Sequence, residues 1–316
     1  MKHFIILISM MSFLTVSCST RVKPNKLSCN NENSLLWKIS GNGLQYDSYL
    51  FGTMHSVERT FLDSIEGFRK AFNTAKQIAV ECDLFALDSI RATSKPTIKN
   101  YVFMPADTAY AMLYNHNDFR FVDSMLTRYT QEYFKYKPVF WTNLLGRTSV
   151  FSNSPNQSDC LDRFILLLGY QNYKKIYFME TLEDIGQKWV LYDSLGYTMD
   201  LYNQAKDLQR TLKYPDSLRS FFNKMEVSYR KQELNHLSMD YMCEQAGLKN
   251  EPDFVLNYFK QTELSLVVTR NKEWMKVLIP MIKKGPSLIA VGVAHLPGND
   301  GLIALLRELG YSVEPV

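Results

Sequence analysis

The stretch Leu35-Leu36-Trp37-Lys38-Ile39 is apolar with one polar interruption, and Gly41-Asn42-Gly43 then breaks it before a second apolar run from Tyr46 to Phe51. Two such runs around a glycine–asparagine turn predict a β-hairpin. Phe61, Leu62, Ile65, Phe68, Phe72 and Ala75 recur at helical spacing, which predicts one amphipathic helix over residues 61–75. Ile78-Ala79-Val80-Glu81-Cys82-Asp83 follows as a short apolar strand. Strand, helix and strand in close succession predict a βαβ-type unit with parallel strands.

Beyond Leu84 the pattern changes. Residues 84–157 carry helical periodicity and dense aromatics (Tyr129, Tyr133, Phe134, Tyr136, Phe140, Trp141), which read as core-facing helix positions. A helix over 161–168 then leads to the strand Ile176-Tyr177-Phe178-Met179-Glu180, which ends in a carboxylate. Residues 183–260 read as a second long helical excursion. The chain closes with a helix over 270–284, a strand over 287–291, a helix over 301–309 and a strand over 311–315. These elements predict an α/β fold: a mixed, mainly parallel sheet core with two large helical insertions, 84–157 and 183–260, capping the site. Residues 34–316 are read as one domain.

One short motif occurs twice in matching context. Ser48-Tyr49-Leu50-Phe51 runs into Gly52-Thr53-Met54-His55, and Ser287-Leu288-Ile289-Ala290-Val291 runs into Gly292-Val293-Ala294-His295. A buried strand followed by a glycine turn presents a side chain at the sheet edge, where α/β folds place ligands. Together with Glu81 and Glu180, four strand ends would aim polar groups at one place. Two imidazoles with one or two carboxylates and an open position is the composition of a catalytic divalent-metal site. Such a metal activates water and polarises a carbonyl, and a carboxylate that does not bind it would act as general base and later protonate the leaving amine, with Glu180 as ligand or general base. The same four residues without metal would suit acid–base hydrolysis, a glutamate holding a histidine in the needed tautomer.

Each residue also has an ordinary structural reading. A histidine at a strand end is commonly a hydrogen-bonded structural residue. Glu81 in an apolar strand would be satisfied by a buried arginine. Glu180 precedes Glu183 and Asp184 and could merely be solvated. Arg270 and Asn271 open the helix before the last core strand, where they could pair with a site carboxylate or simply start the helix. The Leu296-Pro297-Gly298 turn could offer backbone N–H groups to an oxyanion. His116 and His236 fall in the helical insertions, and Glu233-x-x-His236 has metal-like spacing on one helix face.

The chain has 316 residues, 46% hydrophobic and 22% charged, with a net charge of +4. That is globular composition, and with no basic stretch interleaved with aromatics nucleic acid is not an expected partner. Residues 1–18 read as a lipoprotein-type signal: Lys2, an apolar stretch from Phe4 to Leu14 too short to span a bilayer, then Leu14-Thr15-Val16-Ser17-Cys18. Cys18 would be lipidated and residues 19–33 would form a tether, with an ordinary secretory signal as the alternative. Cys29, Cys82, Cys160 and Cys243 remain; in an oxidising compartment they allow one or two bridges, although Cys82 also reads as a small core residue. No H-E-x-x-H, G-x-S-x-G, P-loop or G-x-G-x-x-G motif occurs, so zincin, serine-hydrolase, nucleotide and dinucleotide chemistry find no support.

The ordered motifs Leu36-Trp37-Lys38-Ile39, Tyr49 to His55, Val80-Glu81, Leu161-Asp162, Met179-Glu180-Thr181, Arg270-Asn271 before Trp274, and Val291 to Gly298 together resemble the TraB/GumN family. That family includes the animal Tiki proteins and bacterial secreted or lipoprotein members, and the resemblance runs from about Leu35 to Val316. It implies kinship with erythromycin-esterase-like and ChaN-like α/β proteins. It further implies a manganese- or cobalt-dependent protease chemistry (zinc being another option) that uses His55, Glu81 and His295, with Glu180 as an addition and Gly52, Gly292, Arg270 and Asn271 in support. The Wnt-directed specificity of animal members is not carried over. The expectation is a lipid-anchored, extracytoplasmic metal-dependent hydrolase of the bacterial cell envelope, acting on peptides or proteins. Its rivals are a metal-free esterase-like hydrolase and a lipoprotein that binds haem, metal or peptide in the same cleft.

Overall fold

A computed structural model of the protein describes residues 33–93, 99–151, 160–238, 240–241, 244 and 260–316. The hairpin is β1 (Leu36–Ser40) and β2 (Ser48–Thr53), paired antiparallel with Trp37 opposite Leu50. Its turn places Gly41, Asn42 and Gly43 all at positive φ, a run that glycine and asparagine adopt most easily. Three more strands lie parallel to β2: β3 (Gln77–Val80), β4 (Lys175–Phe178) and β5 (Ser287–Gly292). With β6 (Ser312–Pro315) antiparallel to β1, they form one six-stranded sheet in the order β4-β3-β5-β2-β1-β6. The fold is α/β with a mixed, mostly parallel sheet.

The central strands read as unbroken apolar runs because helices cover both faces. Leu50, Phe51, Ile78, Leu288, Ile289 and Val291 are fully buried. The parallel βαβ expectation holds for direction but not for neighbourhood. β2 and β3 do not pair with each other; β5, from the far end of the chain, pairs with both.

The helix expected over 61–75 is broken in two. A 3₁₀ turn covers Arg59–Ser64, and α1 spans only Phe68–Thr74. Gly67 between them has φ 76°, and a Cβ built there would lie 2.5 Å from a Val316 methyl, so the chain turns at the one residue with no side chain to place. The apolar spacing had survived because both pieces bury the same side against the sheet.

The helical stretches supply α2 (Leu84–Thr93), α3 (His116–Leu126), α4 (Pro138–Phe151), α5 (Leu161–Gln171), α6 (Leu182–Thr198), α7 (Leu201–Lys213) and α8 (Pro215–Arg230). α3, α4 and α7 share a second apolar core around Tyr110, Val122, Leu126, Tyr133, Trp141 and Leu208. Trp141 is buried there as expected, but Phe134 is 53% exposed: it follows the buried Tyr133 in a short 3₁₀ turn rather than in a helix, and its ring packs edge-on against Tyr133 from the solvent side. α8 returns to the sheet, where the fully buried Tyr229 donates its hydroxyl to the Gly52 carbonyl at 2.8 Å. The last core elements are α9 (Thr269–Lys284) and α10 (Leu302–Glu308).

Cys82 is buried beside Leu87 and Ile185, in keeping with the reading as a small core residue. Cys29 and Cys243, and with them the pairing question, lie outside the described residues, as do the expected signal, the tether and the lipidation residue Cys18. Among the described residues, no helix is long and apolar enough to cross a membrane.

Candidate active site

The sheet register decides which side chains meet. Gly52 of β2 lies opposite Val291 of β5, Val80 of β3 opposite Ala290, and Val80 opposite Phe178 of β4. All four parallel strands therefore end at the same edge, and the next residues along the chain are His55, His295, Glu81 and Glu180. α9 lays Arg270 and Asn271 across that edge. The ring of His55 is 47% exposed, while Glu180 and His295 are each 5% exposed, so the site opens on the His55 side.

Arg270 is the hub. Its Nη2 donates to Glu81 Oε2 at 2.5 Å and to Glu180 Oε2 at 2.7 Å, and its Nε donates to the same Glu180 oxygen at 2.9 Å. Its Nη1 lies 3.2 Å from His295 Nε2 and also donates to the Leu266 carbonyl. The guanidinium carbon sits 4.6 Å over the ring of Trp274, and that ring is 4.3 Å from the His295 ring. Trp274 is fully buried, and a guanidinium over its face is an attractive contact.

Both imidazoles are held through the same nitrogen. His55 Nδ1 is 2.7 Å from Asp162 Oδ2, and Thr53 Oγ1 donates to the other Asp162 oxygen. His295 Nδ1 is 2.7 Å from Asn271 Oδ1, while the Asn271 amide donates to the His295 and Asp300 carbonyls. An acceptor on Nδ1 fixes its N–H and orients the ring, which leaves Nε2 for chemistry. Glu81 is fixed in turn by the Gly292 N–H at 2.8 Å. A Cβ on Gly292 would come within 3.2 Å of that carboxylate oxygen, so the motif glycine is what lets Glu81 reach the backbone.

The charges follow from these contacts. Asp162 raises His55 to about 9, outweighing burial, with Glu81 adding to it, which favours the charged ring. Burial and then the Arg270 charge lower His295 to about 3, which keeps it neutral. Burial alone would raise Glu81, but Arg270, His295, the Gly292 N–H and His55 together hold it at about 2. Burial works against the charge on Arg270, and Glu81 and Glu180 more than restore it. The interactions among His55, Glu81 and His295 show that the three groups share one electrostatic neighbourhood.

The sequence profile of the TraB/PrgY/gumN family matches residues 35–315, which includes every residue of this cluster. The chain belongs to that family. Two curated relatives also align. Metalloprotease TIKI2 of Danio rerio is 22% identical over 335 aligned positions, covering 94% of this chain and 63% of the relative. Metalloprotease TIKI homolog of Nematostella vectensis is 21% identical over 327 positions, covering 90% of this chain and 68% of the relative. The chain thus spans less than two thirds of the length of the Danio rerio protein. No solved structure matches it.

The metalloprotease names raise the question of a metal. By donor chemistry the residues fit one: two imidazoles with Nδ1 tied back, and a carboxylate, are what a divalent transition metal binds. As arranged, however, His55, Glu81 and His295 do not form a ligand set, and among the described residues no three His, Cys, Asp or Glu side chains are gathered as one. Arg270 stands between them, its N–H groups on Glu81 Oε2 and near His295 Nε2.

Glu180, expected as ligand or general base, is the anchor of the guanidinium. Asp162, Thr53 and Trp274 lie in the motifs quoted for the family resemblance, but the sequence reading gave them no role in the site. Asp162 was hidden because an acid in the first turn of a helix is the ordinary complement to the helix dipole; it is, however, 8% exposed. Away from the site, His116 is exposed, and Glu233 bonds His236 at 3.0 Å while His236 stacks on Tyr241, so that pair is engaged locally.

Proposed function

We propose that this chain is a hydrolase of peptides or proteins whose reaction centre is the sheet edge shared by His55, Glu81 and His295. The observation that carries the reading is the paired tethering of the imidazoles, Asp162 on one Nδ1 and Asn271 on the other, beside a carboxylate held below its usual range. Structural histidines do not need two matched orienting partners at one solvent-open edge. The names of the aligned relatives support the peptidase class.

In this reading His55, Glu81 and His295 hold a divalent transition metal, manganese or cobalt by family resemblance. When bound, it polarises the scissile carbonyl and provides a water nucleophile near neutral pH. Asp162 and Asn271 keep the two rings aimed. Glu81 is the carboxylate of that set, held in place by the Gly292 N–H and Arg270. Arg270, anchored on Glu180, presents a fixed positive charge at the edge where an oxyanion would develop. The lipoprotein-type signal ending at Cys18 supports an activity at the bacterial envelope, outside the cytoplasm.

A second reading is favoured by one contact. Because Arg270 already supplies a cation to Glu81 and His295, the same residues are equipped for metal-free hydrolysis, with the His55 imidazolium as acid and Glu81 as base.

The experiment is hydrolysis of a mixed peptide library by the full chain, alone, after chelation, and after return of manganese or cobalt. The proposal expects cleavage that chelation abolishes and metal restores, absent in both His55→Ala and His295→Ala. Cleavage indifferent to a strong chelator would replace it with the metal-free reading. No cleavage under any metal would remove the peptidase assignment.

A further inference from the structure

The sheet has two outer strands, β4 and β6, and they are built differently. β6 closes on Glu314-Pro315, a charge and a residue without an N–H, which are ordinary means of keeping an edge from pairing. β4 carries neither proline nor carboxylate, and its one cation, Lys175, lies over the Tyr177 ring on the sheet face. Its ladder with β3 is parallel, with Ile78 opposite Ile176 and Val80 opposite Phe178. The Lys175 N–H donates to the Lys76 carbonyl at 3.2 Å, and the Met179 N–H to the Val80 carbonyl at 3.0 Å. Residues 175, 177 and 179 therefore bond β3, and the N–H and C=O groups of Ile176 and Phe178 point away from it. Among the described residues no strand pairs with that side of β4.

We propose that β4 is the substrate-docking strand: an extended peptide adds to its open edge through the outward groups of Ile176 and Phe178, and the chain runs from there over the end of the sheet to the reaction centre. This rests on the peptide-hydrolase reading above and deepens it by naming how substrate is held; it is the same whether or not the site holds a metal. Main-chain bonds to a sheet edge give affinity with little regard to sequence, and alternate side chains give preference. Phe178 is 36% exposed, and Tyr173, in the turn that feeds β4, is 98% exposed, so apolar surface flanks the open edge.

The open edge is continuous with the site. Met179 and Glu180 follow Phe178 without leaving β3, the Glu180 N–H donating to the Glu81 carbonyl at 2.9 Å, and the Glu180 carboxylate holds Arg270. Neighbouring strands stand about 4.8 Å apart, so a strand added to β4 lies about 10 Å from β3 and the Glu81 that follows it, a span of about three extended residues. The residues held on β4 are thus about three positions from the bond cleaved. The substrate class follows from the same geometry: a polypeptide segment already extended, with its own N–H and C=O groups unpaired and no proline at the held positions. A folded domain, whose backbone groups are paired internally, has no such segment to offer.

The test is amide hydrogen exchange of the full chain with a blocked heptapeptide of alternating valine and threonine, beside the same peptide N-methylated at every second residue. The proposal expects the Ile176 and Phe178 amides to slow with the plain peptide and not with the methylated one. Phe178→Pro removes one outward N–H and spares the β3 ladder, which uses its neighbours. It should weaken peptide binding, and raise KM for library cleavage with kcat unchanged, by about fivefold; Phe178→Ala, which keeps the N–H, should bind more tightly than Phe178→Pro. Amides of the parent that stay fast with saturating peptide overturn the proposal, and that measurement needs no variant. Equal binding by parent and a folded Phe178→Pro overturns it as well. Protection that follows protein concentration without peptide overturns it in favour of pairing between two copies of the chain. Peptide-dependent protection in a chain that cleaves nothing supports the docking edge and overturns the hydrolase reading alone.

Discussion

Arg270 Nη1 stands 3.2 Å from His295 Nε2, a permanently charged donor facing an imidazole that burial keeps neutral. The two side chains also share the faces of Trp274, so the last core helix and the last glycine motif act as one unit. That unit is what the opposing half of the site, His55 on Asp162, meets at the sheet edge.

Asp162→Asn is expected to lower the His55 pKa from about 9 toward the ordinary histidine range, since the Asp162 charge is the main cause of the elevation. The check is an NMR titration of the His55 ring. Hydrolysis should fall about 10–100-fold, the usual effect of losing a partner that orients a ligand, while the fold persists. An unmoved His55 titration would show that Asp162 is not its partner.

Acid should weaken the fold through the other half of the site. His295 is lowered to about 3, so the unfolded chain takes up a proton near the ordinary 6.5 that the folded chain refuses. Unfolding free energy should therefore decline by up to about 1.4 kcal/mol per pH unit as pH falls from 6.5 toward 3. Glu81, lowered to about 2 from 4.5, adds a decline of the same sign below pH 4.5. His55 works the other way: its stabilisation is complete below pH 6.5 and disappears as pH rises through about 9, and solvent on its open face keeps it small. Urea unfolding at several pH values, parent against His295→Gln, measures the first effect; an identical slope in the two proteins would count against it.

Tyr229→Phe should cost about 1–3 kcal/mol, because it leaves the buried Gly52 carbonyl without the hydroxyl that bonds it at 2.8 Å. The tie joins α8 to the first glycine motif, so hydrogen exchange at Thr53 and Met54 should speed up more than exchange in β5. Unchanged stability would mean that water replaces the hydroxyl.

Gly292→Ala should reduce hydrolysis more than it reduces stability. The added methyl would meet Glu81 Oε1 at 3.2 Å and push it off the Gly292 N–H, while the strand itself accepts alanine. Gly52→Ala faces Val293 at 2.9 Å and Leu296 at 3.1 Å instead, so its damage should appear chiefly as lost stability. Melting temperatures and hydrolysis rates of the two variants separate the cases; equal patterns would refute the distinction.

The sequence was most informative where a local pattern carries its own partner. β1 and β2 could be read because hairpin strands and their turn are adjacent in the chain, and β3 and β5 because buried strands are written as apolar runs. Helix 61–75 was misread where the decisive contact, Gly67 against Val316, joins residues far apart in the chain. Phe134 was misread because apolar character was taken for helical register in a segment that makes only a 3₁₀ turn.

By itself the sequence determined the mostly parallel sheet, the glycine ends of its two motif strands, and which histidines and carboxylates those ends carry. Only the tertiary structure decided that β5 slides between β2 and β3, that Asp162 and Asn271 take one nitrogen from each imidazole, and that Arg270 lies among Glu81, Glu180 and His295. The reason is physical. Periodicity records which face of an element is buried, whereas a partner for a buried charge is chosen by non-local strand order and by the direction in which a helix crosses the sheet edge, neither of which leaves a trace in neighbouring residues.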